Sequence, residues 1–382
     1  MNMRWEPLQP SVPPPLPPAR VVFSGDRGGF FRLAARGAAL ELVTVGFYRF
    51  WLATDIRRQI WSSTLIDGDA AEYTGRGKEL LIGFLFALAI LVPIYLGYFL
   101  ITVEAESLKA FASIPLVLGF YAFGQFAVYR ARRYRLTRTV WRGVRFWMDG
   151  SGWAYAGRAV LWGFLTLVTL GLAYPWREAA LERYKMQHSH YGDLQGSFDA
   201  RGSDLFKKIW WLWLLAPLAI VLFPLLPLFY AEFKAREYAW WLSGVRFGGV
   251  SLKSSLHRSA FTGIYWTVIG WFFLLGIVLS AYMAAAFGLV VKFSGLNLGT
   301  PAGAEMVSHS IPFVAATVVG YLAYVLALNV VMRLYLLRDV WQAVVSSIEV
   351  HGIEAAANVG AKGELASALG EGFADGLDVA GF

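Results

Sequence analysis

Apolar residues in this chain gather into long runs separated by short charged stretches. A bilayer core about 30 Å thick takes about 20 apolar residues in a helix. Four runs meet that length, at 80–101, 110–129, 264–291 and 311–337. Two more, 156–176 and 209–231, come close, the second interrupted by Pro217, Pro224 and Pro227. A seventh, 30–52, contains Arg32, Arg36, Glu41 and Arg49. Charges are costly near a bilayer centre, so this run is expected at the interface or shielded by protein. The pattern predicts an all-α polytopic membrane protein with six to seven membrane helices.

The charged stretches set an expected orientation, because cytoplasmic loops carry an excess of Lys and Arg. Residues 130–145 hold Arg130, Arg132, Arg133, Arg135, Arg138, Arg142 and Arg145, and 232–263 hold Lys234, Arg236, Arg246, Lys253 and Arg258. Both read as cytoplasmic loops. The links after residues 101 and 291 lack a basic excess and read as periplasmic. Residues 80–129 and 264–337 are therefore expected as two hairpins, with both termini cytoplasmic. Residues 177–208 are ambiguous. Simple alternation of spans puts them outside, whereas Arg177, Arg183, Lys185, Arg201, Lys207 and Lys208 argue for inside. If they are inside, 156–176 and 209–231 re-enter the membrane rather than cross it.

Composition agrees with a bilayer protein. Apolar residues make up 57% of the 382 residues and charged residues 16%, against about 25% charged in soluble domains. Net charge is +8; in a soluble protein that would raise nucleic acid as a partner, but here the bases flank apolar runs, so no nucleic acid is expected. Membrane lipid is the expected partner. The chain has no cysteine, which excludes disulfides and thiolate metal sites. Residues 1–20 are a proline-rich tail without the apolar core of a cleavable signal. Residues 352–382 are an Ala/Gly-rich acidic tail in which Leu369, Phe373 and Leu377 recur at helical spacing.

Between the tails, 21–351 reads as one integral membrane domain built of repeated units, about 21–129, 130–231 and 232–351. At an offset of 125, Thr44, Gly46 and Trp51 align with Thr169, Gly171 and Trp176, and Gly77 with Gly202. At an offset of 101, Gly-Val-Arg-Phe at 143–146 matches 244–247. Residues 21–25, 72–75, 144–148, 195–199 and 245–249 put aromatics near glycine, as short strands ending in turns do. If these pieces pair, they form a small cytoplasmic β-layer, which favours the inside placement of 177–208.

The run Leu-Val-Thr-Val-Gly-Phe-Tyr at 42–48 with Trp51, and Leu-Val-Thr-Leu-Gly-Leu at 167–172 with Pro175-Trp176, resembles a repeated signature of YjgN-type inner-membrane proteins. Gly-Val-Arg-Phe followed by Asp149-Gly150, and Gly-Glu-Gly-Phe-Ala-Asp-Gly-Leu-Asp at 370–378, resemble the same family. Departures are Phe50 where the second copy has Pro175, and Ala173 where the first has Tyr48. The resemblance implies a bacterial inner-membrane location and supplies no catalytic residues.

Candidate sites are few. Thr44-x-Gly46 and Thr169-x-Gly171 could expose carbonyls to a ligand, as broken transporter helices do. The simpler reading is a helix end, with Trp51 and Trp176 at the headgroups. Asn329, Arg333 and Gln125 are polar residues within apolar runs and form a candidate polar lining. Arg130, Arg132, Arg133, Arg135 and Arg138 form a candidate contact for anionic headgroups. His188 and His190 lack the further ligands a metal clip needs. No nucleophile elbow, phosphate loop or zinc-helix motif occurs, so neither an enzyme nor a cofactor is expected. The functional expectation is a transporter or channel for a small solute, with a non-catalytic scaffold or anionic-lipid-interacting component as the alternative.

Overall fold

The glycine-bounded strand pieces join in a computed structural model of the protein, which describes residues 17–104, 109–221, 226–257, 259–294, 301–363 and 365. Among the described residues, ten strands close into one antiparallel barrel. The chain builds it by taking the order strand, helix pair, strand five times. The first unit is β1 (Ala19–Phe23), α1 (Arg27–Val43), α2 (Arg49–Ser62) and β2 (Thr64–Ile66). The second is β3 (Asp69–Tyr73), α3 (Gly77–Glu104), α4 (Lys109–Thr137) and β4 (Thr139–Trp141). The third is β5 (Val144–Met148), α5 (Gly152–Val168), α6 (Tyr174–Gln187) and β6 (Ser189–Tyr191). The fourth is β7 (Leu194–Phe198), α7 (Gly202–Val221), α8 (Leu226–Gly244) and β8 (Val245–Phe247). The fifth begins with β9 (Val250–Ser254), α9 (Thr262–Ser294), α10 (Pro301–Ser308) and α11 (Ile311–Met332). It ends with a π-helical stretch (Arg333–Asp339), α12 (Val340–Val345) and β10 (Ile348–His351).

The two strands of each unit pair with each other, and tight turns join one unit to the next. Asp67-Gly68 and Arg142-Gly143 both take positive φ at both positions, at 53° and 86° and at 47° and 75°. This is the hairpin turn whose twist matches that of the flanking strands. β10 pairs with β1, Val350 opposite Ala19 and Glu349 opposite Arg20, and closes the ring. A direct geometric consequence follows. Odd-numbered strands all run one way and each leads into a helix pair. All five helix pairs therefore leave the same rim, and all inter-unit turns lie at the other.

This topology corrects the expected all-α class and the count of six to seven spans. Among the described residues, three helices are long and apolar enough to cross a membrane: Gly77–Leu100, Thr262–Phe293 and Ile311–Val345. The run 30–52 is divided by a turn at 44–48, and 156–176 by one at 169–173. The run 209–231 is shared between α7 and α8, while 110–129 lies in α4, which runs on through Arg130–Arg135. Nor are the basic stretches free loops. Residues 130–145 form the end of α4, β4 and the start of β5, and 177–208 and 232–263 likewise enter the barrel. The strands of 177–208 share the barrel with those of 130–145. The proline-rich tail up to residue 16, Pro224, and Leu369, Phe373 and Leu377 lie outside the described residues.

Candidate functional site: the barrel interior

An eight-stranded barrel is just wide enough for side chains to fill it, and diameter grows with strand number. Ten strands leave space. Inside lies a cavity of about 450 Å³. Its wall is aliphatic and aromatic, including Val21, Phe146, Tyr191, Phe247, Leu252 and Val350 from the strands. Ile353 and Ala356, in the turn after β10, line it at the inter-unit rim.

The helical rim is different. There Trp61, Trp241 and Trp341 line the cavity together with Arg132 and Arg135. Trp61 and Trp341 stack with ring centroids 5.3 Å apart. Each indole N–H donates to a threonine: Trp61 Nε1 to Thr139 Oγ1 and Trp341 Nε1 to Thr64 Oγ1, both at 3.1 Å. Each threonine hydroxyl in turn donates to a backbone carbonyl, Thr139 to Arg135 and Thr64 to Ile60. The rings are thus fixed without drawing on the cavity's own donors.

Cations gather at this rim. Arg132 Nη1 lies 2.7 Å from Glu182 Oε1, and Lys185 Nζ lies 2.6 Å from Glu182 Oε2. Trp241 donates to the same carboxylate. One carboxylate therefore serves two cations. Burial alone would push the Glu182 carboxyl up, but Arg132 and Lys185 pull it down to about 2. Arg135 adds a further cation on the cavity wall. The indole N–H of Trp141 also lines the cavity, and it is buried with no hydrogen-bond partner. Buried donors are normally satisfied; this one precedes the Arg142-Gly143 turn, at the inter-unit rim opposite Arg132 and Arg135.

The sequence-predicted residues fall in three places. Of the arginine cluster, Arg132 and Arg135 reach the cavity, while Arg138 is buried and bridges Glu79 at 2.9 Å. Arg130 lies over the Phe126 ring at 5.8 Å, and Arg133 is half-buried on α4. In the polar lining, Arg333 pairs with Glu41, and the Oδ1 of neighbouring Asn329 is buried without a partner. Gln125, half-buried on α4, is kept apart from them, because the first unit lies between the second and the fifth in the ring.

Thr44 and Thr169 organise two matching helix–helix turns. Each hydroxyl donates back to a carbonyl four residues earlier, Leu40 or Leu165, and accepts the amide four residues later, Tyr48 or Ala173. Gly46 and Gly171, at φ 85° and 91°, donate to Glu41 and Thr166. Trp51 stacks on Tyr48 and Trp176 packs against Phe206. A Cβ on Gly77 would lie 2.8 Å from Trp51 Cα, and one on Gly202 2.7 Å from Trp176 Cα. These motifs build helix pairs and do not present carbonyls to a ligand.

Among the described residues no group of three or more His, Cys, Asp or Glu could hold a metal ion. His188 pairs with Asp149 at 2.7 Å and His190 stacks on Trp147 at 4.1 Å. Sequence reasoning places Trp51 and Trp176 at the headgroups and singles out no other tryptophan and no acidic residue of 177–208. It thus misses Trp61, Trp141, Trp241, Trp341 and Glu182. Only Trp141, beside the Arg142-Gly143 turn of a strand piece, carries a readable signal. A family model described as a bacterial protein of unknown function, DUF898, matches residues 18–240, which span the first three units and most of the fourth. No curated protein and no solved structure matches the chain.

Proposed function

Since the chain belongs to the DUF898 family of bacterial proteins of unknown function, we propose its role from the barrel: a non-catalytic, multi-pass inner-membrane protein that holds an amphiphile with an anionic head. The apolar chamber takes the chain of the ligand, and Arg132 and Arg135 meet its head at the helical rim. The observation that carries this is the placement of two arginines, Arg132 and Arg135, on the wall of an otherwise apolar cavity. Buried polar groups in ligand pockets fix orientation in this way. A long-chain carboxylate or anionic lipid fits both ends. The YjgN-like resemblance, the duplication of units and a cytoplasmic barrel with cytoplasmic termini belong to the same reading.

The test is binding of a fluorescent long-chain carboxylate to the detergent-purified full chain. Binding is expected, with weakening in Arg135→Gln and in Arg132→Gln. Equal binding by the wild type and both variants overturns the proposal.

A carrier for a small solute is the second reading. It rests on the buried, unpartnered Asn329 Oδ1 one turn from the Glu41–Arg333 pair. A solute that raises the melting temperature of the wild type but not of Asn329→Leu would support it.

A further inference from the structure

We infer that the α1–α2 and α5–α6 hairpins are re-entrant: their turns at 44–48 and 169–173 dip into the hydrocarbon of the bilayer and return on the side they entered. This rests on the reading above that the long apolar helices cross a membrane. Four observations carry it.

First, the turns sit at the free ends of helix pairs that leave the same barrel rim as Gly77–Leu100, Thr262–Phe293 and Ile311–Val345. Whatever medium surrounds those helices lies in the direction the short pairs point.

Second, the tips are apolar and open. Val43 is 79% exposed, Val45 88%, Leu167 74% and Leu170 78%.

Third, the residue types run against local conformational preference. Val45 and Leu170 take φ of 53° and 51°, in the left-handed region that aqueous turns fill with Gly, Asn or Asp. A β-branched residue there is a costly choice, and it makes sense where the side chain's surroundings outweigh its backbone.

Fourth, the amides of the two turns need no water. In the first turn the amides of residues 44, 45, 46, 47 and 49 donate to the carbonyls of 40, 42, 41, 44 and 46, and that of 48 donates to Thr44 Oγ1. In the second, the amides of 169, 170, 171, 172 and 174 donate to 165, 167, 166, 169 and 171, and that of 173 to Thr169 Oγ1. In hydrocarbon each unsatisfied backbone group costs several kcal/mol, so irregular backbone there must be closed on itself or covered. Both tips have the same closed set. The charges nearest the first tip are also covered: Glu41 is paired with Arg333, and the Arg49 guanidinium lies 4.8 and 4.7 Å from the Phe50 and Phe84 rings.

The chain has no cysteine, so single cysteines can be labelled cleanly. Val45→Cys, Leu170→Cys, Ile277→Cys in the middle of α9 and Ala70→Cys on exposed β3 are each labelled with an environment-sensitive fluorophore. The full chain is then reconstituted into vesicles whose acyl chains carry bromine. The expected result is quenching at 45 and 170 to the extent seen at 277, none at 70, and iodide quenching only at 70. Quenching by bromolipid at 277 with iodide access at 45 and 170 overturns the re-entrant hairpins and leaves the membrane reading intact. Absence of bromolipid quenching at 277 overturns both. Reaction of unlabelled Val45→Cys or Leu170→Cys with an impermeant maleimide added on the face opposite the barrel shows crossing, and overturns the inference.

Discussion

Arg333 Nη2 lies 2.9 Å from both carboxylate oxygens of Glu41, so one guanidinium nitrogen ties α1 to the end of the apolar run 311–337. The pair joins the first and fifth units at the seam where β1 meets β10. Its side chains are 21% and 13% exposed. Breaking a fully buried pair costs about 3–5 kcal/mol, and partial exposure lowers that to roughly 1–3 kcal/mol. Glu41→Gln and Arg333→Met should each lower the detergent-solubilised melting temperature. The double variant should lose less than the sum, and strict additivity would show that the contact does not couple the seam.

The Thr44 and Thr169 hydroxyls each satisfy an amide that has no other acceptor in its turn. Thr44→Val keeps the shape and strands the Tyr48 N–H, at a cost of about 1–3 kcal/mol; Thr169→Val does the same at Ala173. Serine at either position should restore most of the loss. Thermal unfolding of the three forms at each site separates the hydrogen bond from the methyl group, and a valine form as stable as the wild type would contradict the assignment.

Gly46 offers a cleaner backbone measurement. A Cβ there meets nothing within 4 Å, so Gly46→Ala pays only for the left-handed conformation, about 1–2 kcal/mol. At Gly171 the added carbon lies 3.5 Å from Trp213 Nε1, which is ordinary contact. The two alanine variants should therefore lose similar stability. A much larger loss at either site would mean that the turn packs against something further.

Glu182 sets a pH dependence. Its carboxyl falls from 4.5 to about 2 in the folded protein, held down by Arg132 and Lys185 against the effect of burial. A depressed carboxylate contributes stability that is complete above its unfolded value and is lost as pH falls through its folded one. Stability should therefore hold from neutral pH to about 4.5 and decline from there towards 2. Glu182→Gln should remove this part of the acid limb while lowering stability at pH 7. An unchanged acid limb in that variant would place the acid sensitivity elsewhere.

Much of the barrel is readable as fragments. The pieces at 21–25, 72–75 and 144–148 stand out because aromatic and β-branched residues end at glycine, and Asp67-Gly68 and Arg142-Gly143 carry hairpin chemistry. The partner strands do not stand out: β2, β4, β6 and β8 are three residues long and directly follow helices, so no period-2 pattern can develop. Long apolar runs were readable by length, but their breaks were not. Thr44-Val45-Gly46 contains one glycine and no proline, and its reversal depends on a threonine bonded to both flanking turns. The cavity escaped because its donors are arginines within a basic stretch. Only the closed ring turns Arg132 and Arg135 inward while leaving Arg142 on Asp67 and Asp69 at the outer turn.

The seam between β1 and β10 also orders events during synthesis. β1 is made more than 320 residues before its neighbour Ile348–His351. Until then the growing sheet keeps two open edges, and unpaired edges invite pairing with other chains. Each new unit can settle its helix pair and extend the arc by two strands, because every helix pair departs from the same rim of the barrel. The first strand translated is the last to be completed, and a nascent chain halted before residue 348 would carry every tryptophan of the cavity yet have no enclosed chamber.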